Sequence, residues 1–290
     1  MTRRVVPPSA VPWLLLAPIL ALLALFFVSP VAILARFSFY LARPGGQMIP
    51  AWVLQNYTRF LTDSFHLGVL WNTIVLGLWV TAVCLILGYP LAYSLARTRS
   101  TRRRSLGLTI LLIPLMTSVV VRSYGWLILL ASSGPINRLL LALGLVDHPL
   151  QLLFKPQGVV VALAEVLLPF MVLSIMPVLQ GIDPHLEEAS QSLGAGPIQT
   201  FRQVVLPLSL PGVAAGSILV FVLTISAFAT PRLVGGATTH VMSIFIYDQA
   251  LGVFNWPFGS AVSMLLLLVV LGLTWLQGRA LEGRGIGGAG

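Results

Sequence analysis

Two ionisable residues, Glu165 and Arg122, stand inside long apolar runs of the sequence. Glu165 is the only charged residue of 157–180, and Arg122 is the only charged residue of 105–131. Pro169 follows in the same run as Glu165, where it would free a backbone carbonyl and could kink a helix. A carboxylate beside freed carbonyl groups would suit an ammonium ligand. Glu165 could equally form a structural ion pair with Arg122, and both interpretations stay open at this point.

Three further residues could act on a charged ligand. Tyr124 and Trp126 lie just beyond Arg122, and aromatic residues near a membrane edge usually act as interfacial anchors. Their alternative role is a cation–π wall for an amine, worth about 0.5–2 kcal/mol per contact. Asp248 precedes the last apolar run, where it is either a solvated charge or a group that attracts a cation. Arg122 and Arg232 would instead favour an anion, so the sign of the ligand's charge is left open.

The sequence lacks the residue motifs that most enzymes and metal sites require. The single lysine, Lys155, follows Phe154, so the GxxxxGK[ST] phosphate loop is absent and any ATP hydrolysis must belong to another subunit. Neither GxSxG nor HExxH occurs, and a lone cysteine, Cys84, excludes a disulfide framework. We therefore expect no cofactor, no metal and no catalytic residue. The four histidines fall in four different loops without a metal-ligand spacing: His66, His148, His185 and His240.

The charged fraction of the chain is too small for a water-soluble protein. Charged residues make up 9% of the 290 residues, against about 25% in soluble domains, and apolar residues make up 57%. A membrane-spanning helix needs about 20 mostly apolar residues. The sequence therefore predicts an all-α polytopic membrane protein, a single domain over 1–290 with six transmembrane helices. The six spans are expected at about 11–34, 70–96, 105–131, 157–180, 210–229 and 258–277.

The distribution of basic residues predicts how the spans are oriented. A cytoplasmic N-terminus puts ten arginines in the inner ends and loops, against six basic residues outside. The compact basic run at 97–104 is the strongest single signal, because it lies between two spans. We therefore expect both termini in the cytoplasm. The net charge of +9 does not indicate nucleic acid, since the basic residues lie mainly in short loops.

The segment 181–209 differs from the other loops in composition. Asp183 is a plausible N-cap, with Pro184 at the first helical position. Gly194 to Pro197 should end that helix, and a second short helix is expected over 198–205, stopping at Leu206-Pro207. Residue chemistry alone thus predicts a helix–turn–helix on the cytoplasmic face, ahead of the fifth span.

This segment resembles the EAA loop of ABC importer permeases, E-A-A-x-x-x-G followed after nine residues by I-x-L-P. Glu188, Ala189, Ser190 and Gly194 occupy the first part, and 204–207 occupies the second at the same spacing. Ser190 for alanine and valine for isoleucine at 204 are conservative departures.

The resemblance implies that the loop docks into a groove of an ATP-hydrolysing subunit. Apolar contacts are expected from Ala189, Leu193 and Phe201, while Arg202 would either meet an acidic partner residue or stay solvated. The candidate ATPase-coupling residues are Glu187, Glu188, Ala189, Ser190, Leu193, Gly194, Phe201, Leu206 and Pro207.

Seven segments, in order along the chain, narrow the resemblance to the first permease of the spermidine/putrescine type. Such a permease would lie in the plasma membrane of a prokaryote and import a small solute, with a polyamine as the first expectation. The implied partners are two ABC ATPase subunits, a second homologous permease that Glu165 could also contact, an extracytoplasmic solute-binding protein and membrane lipid. Another solute (an opine or amino-acid-derived compound, thiamine or ferric iron) is the alternative, and a membrane scaffold or enzyme subunit is the more distant one. The segments are 56–60, 70–73, 113–115 with 122–126, 134–140, 167–171, 229–236 and 255–261.

Overall fold

The computed structural model describes residues 11–43 and 45–285, and most of these residues are helical. Six stretches are long and apolar enough to cross a membrane, as the fold prediction requires. They are Leu16–Phe37, Ser64–Arg97, Val119–Ala142, Pro156–Gly181, Pro197–Ser226 and Trp256–Arg279.

The chain divides into two compact units, which are described separately. The smaller unit comprises the described residues up to 64 together with 246–267. Its first span is helical throughout, with a π-helical turn at Ala24–Val28 between two α-helices. Its elements are α1 (Val11–Leu23), α2 (Ser29–Phe37), the antiparallel pair β1 (Leu41–Ala42) and β2 (Met48–Ile49), α3 (Gln55–Thr62), and a π-helical turn at Asp248–Gly252.

A buried asparagine organises the turn after the first span. The Asn56 side-chain amide donates to the carbonyls of Ser38 and Tyr40, at 2.8 and 2.9 Å. The Tyr57 hydroxyl lies 2.7 Å from the Ser38 hydroxyl. Polar partners for buried backbone carbonyls are needed where a chain leaves its helix, so Asn56 fixes the path from α2 into α3.

The larger unit comprises 65–245 and the described residues from 268 onward. Its long helices are α4 (Ser64–Arg97), α8 (Pro156–Gly181) and α11 (Leu206–Ser226), and α14 (Trp256–Gly285) ends in it. The shorter helices are α5 (Thr101–Leu112), α6 (Val119–Leu130), α7 (Pro135–Ala142), α9 (Pro184–Ser192), α10 (Pro197–Thr200), α12 (Ala229–Val234) and α13 (Met242–Tyr247).

The core of this unit lies along α8, whose inward face is buried against α4 and α11. Val80 and Cys84 of α4, Met171 and Ile175 of α8, and Val220 of α11 have no exposed surface. Small residues let these helices approach one another, as is usual where no hydrophobic effect drives membrane helices together. The site described below is built on these three helices and on the segments that connect them.

The prediction of one spanning helix over 105–131 is wrong, because the third stretch long and apolar enough to span begins at Val119 and ends at Ala142. The predicted range is interrupted: α5 ends at Leu112, a 3-10 turn covers Ile113–Met116, and α6 begins at Val119. Pro114 lies in the turn, and Thr117 is extended. A proline lacks the N–H that would continue the helical bonds, so the predicted range is divided between two shorter helices.

The predicted stop at Leu206-Pro207 is wrong. Helical structure continues from α10 through a π-helical turn at Phe201–Val205 directly into α11. The Leu206 N–H donates to the Phe201 carbonyl, five residues earlier. A π-bulge of this kind shifts the bonding register before a proline, and Pro207 then lies in the first turn of α11, where its missing N–H is tolerated.

Candidate coupling loop and membrane site

The helix α9 begins where the sequence predicted. The Asp183 side chain accepts a hydrogen bond from the His185 backbone N–H at 3.0 Å, and Pro184 occupies the first turn. No residue of α9 is buried. The cap defines the start of the helix, and most of its side chains are exposed to solvent.

Gly194 ends α9 in the left-handed region, with φ of +90°. The Gly194 N–H donates to the Gln191 carbonyl at 2.9 Å, and the Ala195 N–H donates to the Ser190 carbonyl at 3.1 Å. This pairing closes the helix end by a tight turn that glycine adopts without strain. A side chain at 194 would meet open space, so the requirement for glycine here is conformational.

The turn presents apolar side chains to the outside. Leu193 is 89% exposed, Leu186 and Ala189 of α9 are exposed on the same side of the turn, and Ile198, which follows the turn in the chain, is 77% exposed. A cluster of exposed apolar side chains on a short helix pair is typical of a protein contact surface. Leu186, Ala189, Leu193 and Ile198 are called the apolar patch below.

The two adjacent glutamates of α9 have different environments. Glu187 forms an ion pair with Arg97, at the end of α4, and accepts a hydrogen bond from the Tyr93 hydroxyl at 2.8 Å. Glu188 is exposed and its Oε2 lies 3.1 Å from His185 Nδ1. Glu187 is therefore turned towards this chain's own helices, whereas Glu188 is available at the surface.

Nearby carboxylates change the pKa of the His185 imidazole. Its pKa is raised above the usual 6.5, first by the hydrogen bond to Glu188 and then by the negative charges of Asp183 and Glu188. These groups favour the protonated imidazolium. The N-terminal turn of α9 therefore carries an extra positive charge over a wider pH range than a solvated histidine would.

The second half of the segment packs towards the membrane helices. Phe201 stacks edge-to-face on Tyr89 of α4, with ring centroids 5.5 Å apart. Leu206 packs against the core, while Pro207 is exposed. Ser190 lies at the inner side of α9, with its hydroxyl 3.2 Å from Thr200 Oγ1. Of the predicted apolar contact residues, Leu193 and Ala189 face outwards and Phe201 faces its own chain.

Glu165, Arg122 and Trp126 come together between α8 and α6. Arg122 Nε lies 3.5 Å from Glu165 Oε2, and the Trp126 indole N–H donates to the same oxygen at 3.4 Å. Arg122 also donates to the Pro114 carbonyl. The Glu165 side chain is 30% exposed, against 11% for Arg122. The carboxylate is thus paired but still accessible from one side.

The other two candidate pathway residues lie apart from this cluster. Tyr124 shares α6 with Arg122 and is 56% exposed. Asp248 begins the π-helical turn of the smaller unit and is half-buried there. Their expected roles towards a solute stay predictions.

Sequence reasoning missed the partners of Glu187. The sequence explains Arg97 as an orientation charge in the basic run at 97–104, and it gives Tyr93 no role. Their spacing of four residues at the end of α4 places both on one helix face, which was the available signal. Among the described residues, no group of three or more His, Cys, Asp or Glu side chains could hold a metal ion.

Six apolar stretches and an exposed helix–turn–helix define a polytopic helical membrane protein. The chain belongs to the family of binding-protein-dependent transport system inner membrane components, which matches residues 88–280. It is therefore a multi-pass inner-membrane subunit of an ABC transporter with the type I permease fold, and the resemblance to ABC importer permeases is confirmed, while the roles of the loop residues stay predictions.

Curated relatives match most of the chain. The spermidine/putrescine transport system permease protein PotB of Escherichia coli is 36% identical over 262 residues, covering 90% of this chain and 94% of PotB. PotB of Haemophilus influenzae is 34% identical and covers 78% and 79% of the two chains. A solved bacterial alginate ABC transporter in complex with its periplasmic protein shares the fold, with a TM-score of 0.74, 19% identity and 96% coverage of both chains.

Proposed function

We propose that this chain is a membrane-spanning permease of an ATP-driven importer that moves a polyamine, spermidine or putrescine, into the cytoplasm. The single observation that carries the proposal is the 36% identity to a spermidine/putrescine permease over 90% of the chain. An identity of this size over most of both chains supports a shared solute pathway as well as a shared fold.

The proposed partners are two ATPase subunits, a second homologous permease and an extracytoplasmic solute-binding protein. The apolar patch supports the first of these, because it places Leu193 and Ile198 in water unless a partner covers them. Glu188 beside the patch supplies a surface charge. ATP-driven closure of the ATPases would move this surface, and the spans would then open the solute pathway towards the binding protein.

Glu165 is the proposed cargo carboxylate. Its partial exposure leaves one side accessible to an ammonium group, while Arg122 and Trp126 hold the carboxylate in place. An ionisable residue within a span is a functional candidate by default, since it costs at least about 2.5–3.5 kcal/mol at a helix centre. A polyamine would compete with Arg122 for the same carboxylate. After the polyamine is released, Arg122 would pair with Glu165 again.

Both termini are proposed to be cytoplasmic. The basic run at 97–104 supports this, because Lys and Arg favour the inner side. The contact of Arg97 with Glu187 supports a common side for this run and α9. Single-cysteine variants test it: in a Cys84→Ala background, Ser192→Cys should react with a membrane-impermeant maleimide only in inside-out vesicles. Thr238→Cys, also exposed, should react only from the outside of spheroplasts.

The experiment for the cargo is uptake by cells that lack this chain. Wild-type chain should restore uptake of labelled spermidine and putrescine, and Gly194→Asp should not. Uptake by neither would discard the polyamine and send the search to opines, thiamine or ferric iron with the same variants. Uptake by the Gly194→Asp variant at the wild-type rate would remove the loop from the mechanism.

A further inference from the structure

The helix α9 is held to the rest of the larger unit mainly by polar contacts. None of its residues is buried, so apolar packing does not fix its position. The described polar contacts that leave α9 are of two kinds. The Ser190 hydroxyl meets Thr200, which leads through α10 into α11, and Glu187 meets Tyr93 and Arg97 at the end of α4.

Glu187 uses both oxygens of its carboxylate in the contact with α4. Arg97 pairs with Oε1, and the Tyr93 hydroxyl donates to Oε2 at 2.8 Å. Tyr93 and Arg97 are one helical turn apart on α4 and so approach from the same face. A carboxylate held at both oxygens cannot rotate away from either partner without losing the other.

Arg97 also reaches a third element. Its second guanidinium nitrogen donates to the Ile182 carbonyl at 3.1 Å, and Ile182 caps the end of α8. One side chain therefore joins α4, the end of α8 and α9. The Arg97 and Glu187 side chains are only 20% and 15% exposed, so salt and water screen this pair less than an ion pair at the surface.

We propose that Arg97 and Glu187, with Tyr93, are positioning residues that transmit movement of α9 to α4 and α8. These three residues are called the clasp. The proposal rests on the proposed function in that an ATPase subunit is what moves α9. It assigns Glu187 an inward task and leaves the docking surface to Glu188 and the apolar patch. Without the clasp, α9 could still respond to the ATPase and would stay joined to α8 by the backbone and to α11 through α10, but its side-chain link to α4 would be lost.

The test uses the complete transporter in proteoliposomes, with permeases, ATPase subunits and binding protein. Glu187→Gln, Arg97→Gln and the double variant are compared for spermidine transported per ATP hydrolysed. Each single variant should keep the ATPase subunits and ATP hydrolysis but lower the ratio about tenfold, a usual size for coupling between sites. The double variant should be no worse than the worse single one, since both changes remove the same contact. Arg99→Gln, which removes an exposed arginine of the same segment, is the matched control.

An unchanged ratio in the single variants, or additive losses in the double variant, would overturn the clasp. A merely structural role would lower the amount of assembled transporter and leave the ratio unchanged. Tyr93→Phe removes one hydrogen bond and keeps the ion pair, so it should lower the ratio of spermidine transported to ATP hydrolysed less than the charge variants do. It should also allow the transporter to assemble if the charge variants prevent assembly.

A second readout separates the clasp from the polyamine assignment. In the same assemblies, hydrogen exchange should become faster in Glu187→Gln at α9 and at the last turns of α4, with α11 unchanged. If the wild-type transporter hydrolyses ATP without moving spermidine, the assignment of a polyamine cargo is refuted. Faster exchange at α9 and α4 in Glu187→Gln would still support the clasp in that case. Unchanged exchange at both helices would refute the clasp whatever the cargo is.

Discussion

Arg122 Nε lies 3.5 Å from Glu165 Oε2, so the charged residues of two different apolar runs are paired. Arg122 also donates to the Pro114 carbonyl, in the turn between α5 and α6. The Pro114 carbonyl also accepts from the Thr117 N–H at 3.2 Å, so the arginine adds a second donor at the turn where the helix is interrupted. These contacts join α8 to α6 and to the turn that precedes α6, and they leave Glu165 accessible from one side.

Replacing Glu165 by glutamine should weaken the transport of a polyamine. The change removes the charge that would bind an ammonium and leaves Arg122 to repel it. Loss of a hydrogen bond to a charged group costs about 1.5–3 kcal/mol, so the KM for spermidine uptake should rise at least about tenfold. Uptake kinetics in whole cells measure this.

Asp147→Asn serves as the control for Glu165→Gln, because Asp147 is an exposed carboxylate in a connecting loop. It should leave the KM unchanged. An unchanged KM in Glu165→Gln would remove Glu165 from the cation pathway, and a lower KM would indicate an anionic cargo.

Replacing Gly194 by alanine should impair coupling without any steric clash. Its φ of +90° is unfavourable for an L side chain, although a Cβ would meet open space. The left-handed conformation costs an L residue about 1–2 kcal/mol, so the turn after α9 should fray. ATP-driven uptake should fall, and amide exchange over 190–197 should become faster, while the amount of chain in the membrane stays the same.

Gly196 offers a matched glycine in the same turn. A Cβ at 196 also meets open space, but its φ is −71°, which alanine adopts readily. Gly196→Ala should therefore have the smaller effect. Equal losses in both variants would show that flexibility of the whole turn, rather than the conformation at 194, is what coupling requires.

The effect of each proline could not be predicted from the sequence. Pro114 lies in the turn between α5 and α6, whereas Pro169 and Pro211 lie inside uninterrupted helices. Pro207 was expected to stop a helix, but the π-helical turn at Phe201–Val205 carries the helical path up to it. A missing N–H only fixes which bond is lost, and the neighbouring helices decide whether the backbone bends, shifts register or breaks.

The two glutamates of α9 show what the sequence does specify. Their adjacency in a helix places Glu187 and Glu188 on different faces, and the family spacing identifies Glu188 as the motif residue. The partner of Glu187 could not be inferred, because Arg97 comes from a distant part of the chain and was fully explained as an orientation charge. Run lengths and motif spacing are local properties, whereas this contact depends on how α4, α8 and α9 meet.

The pKa of His185 should return towards its usual value in Glu188→Gln. In the wild-type chain the folded pKa is raised above 6.5, mainly by the hydrogen bond to Glu188. A raised folded pKa stabilises α9 fully below pH 6.5, and this stabilisation is lost as pH rises through the folded value. Titration of the labelled imidazole by NMR in detergent measures the shift.

Asp183 also faces His185, so Glu188→Gln should lower the pKa without bringing it below the solvated value. Gln191→Ala, on the same exposed helix, should not change the titration. The interpretation fails if His185 titrates identically in wild type and Glu188→Gln.

The last prediction concerns the approach of α4 to α11. A Cβ at Gly77 would lie 2.8 and 2.9 Å from two ring carbons of Phe221, and Phe221 is 1% exposed and cannot move aside. Overpacking of this kind costs about 1–3 kcal/mol. Gly77→Ala should therefore lower the midpoint of thermal unfolding in detergent. Gly68→Ala is the same substitution in the same helix, where a Cβ meets nothing within 4 Å. Alanine is the better helix former by about 0.5–1 kcal/mol, so this control should keep or raise the midpoint of thermal unfolding. An equally raised midpoint in both variants would show that α4 and α11 are not in close contact at Gly77.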